Sequence, residues 1–237
     1  LFRERVEMEL KQITSPGGSR VYVDETTGAE YLSVTTPFRL IEAPPLEVWA
    51  LRIGAEKAKR IALTAAAYGN ALHSIWEKIC KGEIKTEETI RVEVKPRYQA
   101  DAQKLLYWFD THVEEVLSCE KRVRIESIHI AGQLDTLCHL KGRPGIAVLD
   151  LKTGKIKAKA KMQMAAYREG AAETLNLPVK DITERVVLSC NRDRVKAQEY
   201  YFGVDQADYD AYCHLVEFYR WYHGPNGKVD LREAKKR

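Results

Sequence analysis

At 237 residues, 45% of them hydrophobic, the chain can bury a full core, and one domain is expected rather than two. A formal charge of +4 permits a nucleic-acid partner without demanding one, because the distribution of charge matters more than its sum. Five scattered cysteines with no CxxC spacing argue against a disulfide framework and for reduced intracellular thiols, and no apolar run is long enough to predict a membrane span.

In chain order, Leu1–Ile13 reads as a short amphipathic helix ended by Ser15-Pro16-Gly17-Gly18, too charged for a signal peptide. Arg20–Val23 and Glu30–Leu32 are expected strands around a turn at Asp24–Gly28. Ser33-Val34-Thr35-Thr36-Pro37 reads as a helix start, with Ser or Thr as N-cap and Pro in the first turn. The same hydroxyls can also meet a phosphate at that helix end. Pro44–Gly82 is expected to be mostly helical, with many alanines from Ala58 to Ala71 and with Trp49 and Trp76 in the core. His73 and Glu77 lie one turn apart and share a face. Arg97–Ser118 reads as a helix whose Leu105, Leu106, Trp108, Phe109, Val113 and Val116 pack inward. Cys119–Ser127 follows as a strand carrying two acids, Glu120 and Glu126.

The centre of the chain is a pair of strands. Ile128–Leu140 carries Asp135, Lys141–Gly145 is a turn, and Ile146–Lys152 carries Asp150 near its end. Antiparallel pairing brings the two carboxylates together, and they repel unless a cation or proton lies between them, so the pair predicts a hard divalent metal. Lys152 shares a face with Asp150 by strand alternation, where it can hold an attacking water and counter charge on a phosphate. The run Lys155, Lys157, Lys159, Lys161 is either a solvated face or a neutraliser of backbone phosphates. It leads into a helix on which Gln163 and Tyr167 lie one turn apart while Ala165, Ala166 and Ala171 pack on the sheet. Thr183–Cys190 and Ala197–Phe202 form a hairpin through Asn191-Arg192-Asp193-Arg194. Asp205–Tyr222 is a closing helix whose aromatics mostly pack, and His223–Arg237 is a basic tail.

An acid on one strand and Asp-x-Lys on the next, here Asp135 and then Asp150-Leu151-Lys152, resembles the PD-(D/E)XK nuclease superfamily. Gly69-Asn70-Ala71-Leu72-His73, Glu120 ahead of the first strand, and the Gln163-x-x-x-Tyr167 helix make the chain similar to the RecB/Cas4-like branch, with its phage-type and mitochondrial-type single-strand exonucleases and the Cas4 proteins. The likeness spans roughly Tyr22 to Phe202; Asp-x-Lys alone is weak, and its specificity comes from the set in order. Leu134 replaces the eponymous Pro, and Asp150 stands where many relatives have Glu, both common variants.

The resemblance implies an α/β fold with a restriction-endonuclease-like core, a mixed sheet flanked by helices, and an N-terminal helical region. The expected division is one nuclease domain: strands and a helical arch over 1–82, a catalytic core over 83–222, and a tail over 223–237. It implies that His73, Asp135, Asp150 and the backbone carbonyl of Leu151 hold one or two Mg²⁺ or Mn²⁺ ions, with Glu77 behind His73. A His ligand would favour manganese relative to an all-oxygen site. It further implies an upstream acid, for which Glu120 fits the spacing better than Glu126, a catalytic Lys152, and substrate contacts from Gln163, Tyr167, Lys155, Ser33 and Thr35. Some relatives carry an iron–sulfur cluster that needs closely spaced cysteines near the C-terminus. This sequence lacks them there, and no cluster is expected.

The implied activity is metal-dependent hydrolysis of DNA from single strands or ends, leaving a 5′-phosphate and a 3′-hydroxyl, in recombination, repair or replication. A structure- or sequence-specific endonuclease of the same fold is one alternative, recognised by cutting a closed circle. A non-catalytic DNA-binding module is the other, against which the intact set Asp135, Asp150 and Lys152 stands. The expected partners are DNA and, where a pathway requires it, a recombination or replication protein, with no membrane. The expected location is intracellular, in a bacterial or phage-infected cytoplasm or an organelle.

Overall fold

The computed structural model describes residues 10–14, 20–41 and 46–223. The expected loop at Ser15–Gly18 and the tail beyond His223 lie outside the described residues. Within them, β1 (Leu10–Thr14), β2 (Arg20–Asp24) and β3 (Glu30–Ser33) form an antiparallel meander. Helices α1 (Leu46–Ile53), α2 (Ala55–Cys80), α3 (Glu87–Glu93) and α4 (Pro96–His112) follow. Then come β4 (Val113–Ile125), β5 (Ile130–Leu140), β6 (Ile146–Lys152), α5 (Lys159–Leu175), β7 (Ile182–Ser189), β8 (Gln198–Phe202) and α6 (Gln206–His223). The strands join one mixed sheet in the order β1-β2-β3-β5-β6-β7-β8, with β4 paired to β5 off that path. The β3–β5 and β6–β7 pairs are parallel and the rest antiparallel. This is the expected α/β architecture, a mixed sheet flanked by helices. No helix among the described residues is long and apolar enough to cross a membrane.

Because the sheet is covered on both faces, its central strands are apolar on both, and alternation assigns each side chain to a core. On β6, Ala147, Leu149 and Leu151 pack with Leu72 and Trp76 of α2 and Leu105 of α4. Val148 packs oppositely, with Met164 and Ala171 of α5 and Tyr212 of α6. Each large side chain so removed from water contributes about 1.5–3 kcal/mol. That burial, rather than helix propensity, fixes where α2 and α5 lie against the sheet.

Three expectations are corrected. Leu10–Thr14 is an edge strand rather than the end of a helix: only Leu10, 3% exposed, needs burial, and pairing with β2 satisfies the backbone. The remainder of that expected helix, residues 1–9, lies outside the described residues. The helix expected over Arg97–Ser118 stops at His112, and its last turns belong to β4. The spacing of Val113 and Val116 mimics a helical face because register shifts fall between Val113 and Glu115 and between Val116 and Ser118, delaying strand alternation. Thirdly, the Ser33–Pro37 segment starts only a short 3-10 turn at Pro37–Leu40, and Thr36 makes no side-chain cap. Within 46–82 the helical expectation holds as two helices broken at Gly54, whose φ of 88° few other residues adopt.

One topological feature creates the site. Along β5, β3 pairs with Ile130 and Ala131, whereas β6 pairs with Thr136 to Cys138. Between those contacts, the β3/β6 side of β5 from Gly132 to Asp135 has no ladder partner among the described residues, so the sheet parts there and leaves room for functional side chains.

Candidate metal centre

Asp135 and Asp150 come together by register. Thr136 pairs with Leu149, so the next step along the antiparallel pair sets Asp135 opposite Asp150. β4 supplies the third acid through a kink: Cys119 pairs with Thr136 and Lys121 with Leu134, leaving Glu120 abreast of Asp135 with φ at 49°. Left-handed backbone in a non-glycine residue costs about 1–2 kcal/mol, and such strain is kept where the fold over-determines it. His73 arrives from α2. That helix is fixed by Trp76, whose indole N–H donates to Thr136 Oγ1 at 2.7 Å, and by the fully buried Leu72. It passes the end of β6 at Gly69, where an added Cβ would lie 3.5 Å from Thr153 Oγ1.

The side chains interlock. Asp135 Oδ2 accepts the Leu151 N–H at 2.6 Å, while Oδ1 lies 3.3 Å from His73 Nδ1. Lys152 Nζ is 2.6 Å from Asp150 Oδ2, and Gln163 Nε2 donates to Asp150 Oδ1 at 3.2 Å. Gln133 donates to Glu120 Oε2. Ligand-type atoms of His73, Glu120 and Asp135 all lie within 4.8 Å of one another, so the three could hold a metal ion. One buried oxygen, Glu120 Oε1, accepts no hydrogen bond among the described residues, whereas Asp150 Oδ2 is held by the Lys152 ammonium at 2.6 Å. A buried acceptor without a donor costs about 1–3 kcal/mol. Once ionised, the three carboxylates outnumber the single lysine, and the donor set is oxygen with one imidazole. Both features fit one hard divalent cation.

The electrostatics record the same crowding. Burial, reinforced by Asp135, pushes the Glu120 carboxyl up to about 7. Burial likewise raises Asp150, with Lys152 opposing and Asp135 assisting. Burial disfavours charge on His73 and on Lys152, but neighbouring carboxylates outweigh it and raise both, Asp135 acting most on His73 and Asp150 on Lys152. Without a cation, the cluster holds protons in its place.

The structure brings together His73, Glu120, Asp135, Asp150, Lys152 and Gln163. Asp150 falls outside the three-residue metal group, engaged by Lys152 and Gln163. Leu151 meets the site through its N–H to Asp135. Tyr167 is buried against Gly132, with its hydroxyl hydrogen-bonded near Gln163, so it forms a wall of the site. Ser33 Oγ and Thr35 Oγ1 lie 3.2 Å apart where β3 leaves β5, the former buried and the latter exposed. Lys155 is exposed in the loop after β6. Of the two acids left open, Glu120 is at the centre, whereas Glu126 binds the Tyr31 hydroxyl at 2.9 Å and Arg124 Nε at 3.2 Å. Glu77 turns to Lys81, at 2.5 Å, rather than backing His73. Gln133 was the residue without an assigned role, although strand alternation from Asp135 puts it on the site's face.

No protein-family model matches the chain, and no curated protein sequence does. The solved structure of SSO0001 is similar over 78% of this chain and 73% of its own, at 17% identity and a TM-score of 0.37, a likeness too low to carry an argument.

Proposed function

We propose that the chain is a metal-dependent DNA exonuclease on a PD-(D/E)XK restriction-endonuclease-like core, acting on single strands or ends. The observation that carries this reading is the convergence, at the parting of one sheet, of three acids, a histidine and a lysine, with the buried Glu120 Oε1 left without a donor. His73, Glu120 and Asp135 would hold Mg²⁺ or Mn²⁺, with Asp150 beside them. A cation bound there would supply Lewis-acid activation of water and neutralise charge on the phosphate.

The chain's own residues account for the rest. Lys152, charged and fixed on Asp150, holds the attacking water and offsets charge that builds on the phosphate oxygens. Gln163 fixes the other oxygen of Asp150, and Gln133 aims Glu120 so that Oε1 remains open to a ligand. The Leu151 N–H orients Asp135, and the buried ring of Tyr167 keeps water from behind the acids.

The test is cleavage of 5′- and 3′-labelled single- and double-stranded DNA and of a closed circle, with Mg²⁺, Mn²⁺ or EDTA. Metal-dependent shortening of linear DNA, spared circles, and a loss of rate of at least about a thousandfold in Lys152→Ala are expected. Cutting of the circle would make the protein an endonuclease. No cleavage of any substrate would leave a binding module.

A further inference from the structure

Beyond the metal centre, a hollow lies between α4 and the turn joining β7 to β8. It has a volume of about 960 Å³ and is lined by Tyr107 of α4 and by Arg192, Arg194 and Lys196 of the turn. A second hollow of about 360 Å³ lies beside it, sharing Arg192 and bordered by Tyr68 of α2. We propose that this pair of hollows is a binding track for a single-stranded nucleic acid, cations gripping the phosphates and the exposed Tyr107 ring receiving a base. The choice of ligand rests on the nuclease reading above; the site itself lies outside the metal centre.

Four features on the molecule point there. The track begins at the catalytic strand: the Cys190 N–H donates to the Lys152 carbonyl at 2.9 Å, so the turn leaves the sheet beside Lys152. Its rings and cations are interleaved, as single-strand sites require. The Arg192 guanidinium lies 4.2 Å from the Tyr68 ring centre, and Lys196 Nζ 5.8 Å from that of Tyr107, which is 61% exposed. The cations are in surplus. Of the two acids that line the main hollow, Glu199 is turned to the Trp108 indole N–H at 3.2 Å and to His112, leaving Asp193 against the three exposed basic residues. Finally, the turn is held in place: Lys104 Nζ donates to the Asn191 carbonyl at 3.3 Å while pairing with the buried Asp101 at 2.8 Å. A turn fixed before binding loses less entropy when a strand arrives. The ligand is therefore a flexible polyanion with flat apolar faces, which an acidic peptide is not.

The test is fluorescence anisotropy of a labelled oligothymidylate in EDTA, across a salt series, for the wild type, Tyr107→Ala and the triple variant Arg192→Ala/Arg194→Ala/Lys196→Ala. All four positions are exposed, and circular dichroism checks each fold. The triple variant should bind at least about tenfold more weakly, with its salt slope reduced by about 2. Tyr107→Ala should lose about fivefold or more with its slope unchanged, because stacking releases no counterions. Affinities within twofold of wild type in both variants would overturn the proposal, as would equal competition by polyglutamate. The two readings fail separately. Track-dependent binding with no cleavage in Mg²⁺ sinks the nuclease and leaves the track. Cleavage with track variants that bind normally does the reverse.

Discussion

At Gly132 the strand has room for a hydrogen and little more. A Cβ there would lie 2.8 Å from Tyr167 Cε1 and 2.9 Å from Val34 Cγ2, both on buried side chains. Gly132→Ala is therefore expected to destabilise the fold by about 1–3 kcal/mol and to displace Tyr167. A thermal melt checks this, and an unchanged midpoint would show that the ring has space to move. Glu120 carries a different prediction. In the metal-free chain its folded pKa is raised to about 7, so between its ordinary value and that point the unfolded chain ionises while the folded one keeps its proton. Stability is thus full at low pH and falls as pH rises through this window. The raised Asp150 and His73 act in the same direction. The Glu120 share, discounted because the residue is only partly buried, is about 1 kcal/mol. Melts in EDTA from pH 4.5 to 7.5 should show a falling midpoint, shallower in Glu120→Gln. A rising midpoint would contradict the assigned shifts.

At the scale of elements, α2 is held over the site through Trp76. Replacing it with Phe keeps most of the apolar area but removes the indole donor, leaving the Thr136 hydroxyl only its weaker contact with Cys80 Sγ at 3.6 Å. A loss of about 1–3 kcal/mol and weaker metal binding are expected from denaturant melts and metal titration, whereas a neutral effect would place the anchorage elsewhere. The strands β5 and β6, with Asp135, Asp150 and Lys152, were legible because two short apolar runs flank a turn rich in Gly and Pro, which sets them antiparallel. β4 was not. Its bulges give Val113 and Val116 a helical spacing, and only pairing with the length of β5 decides for a strand. The positive φ of Glu120 leaves no mark in its residue type, so its place beside Asp135 could be inferred only from likeness to a family pattern. Glu77 shows the limit of spacing arguments. It does share a face with His73, yet the lysine one turn further on holds it.

For the molecule as a whole, the parting of β3 from β6 along β5 and the crossing of α2 above it draw acids from three elements into one place. Such a cluster is stable at neutral pH only with protons or a cation among the carboxylates. Saturating Mn²⁺ should therefore raise the melting midpoint at pH 7.5, by an amount that grows with the logarithm of its concentration, and chelation should reverse it. Sequence patterning predicted the α/β class but not the track between α4 and the β7–β8 turn, because no local pattern brings Tyr107 near Lys196.

The central claim is the cation, and electron paramagnetic resonance of Mn²⁺ measures it directly through loss of the free-ion signal on titration with protein. The wild type should remove one or two Mn²⁺ per chain, and Asp135→Asn should weaken that binding by about ten- to a hundredfold. Retention of the full free-ion signal at millimolar protein would contradict the account.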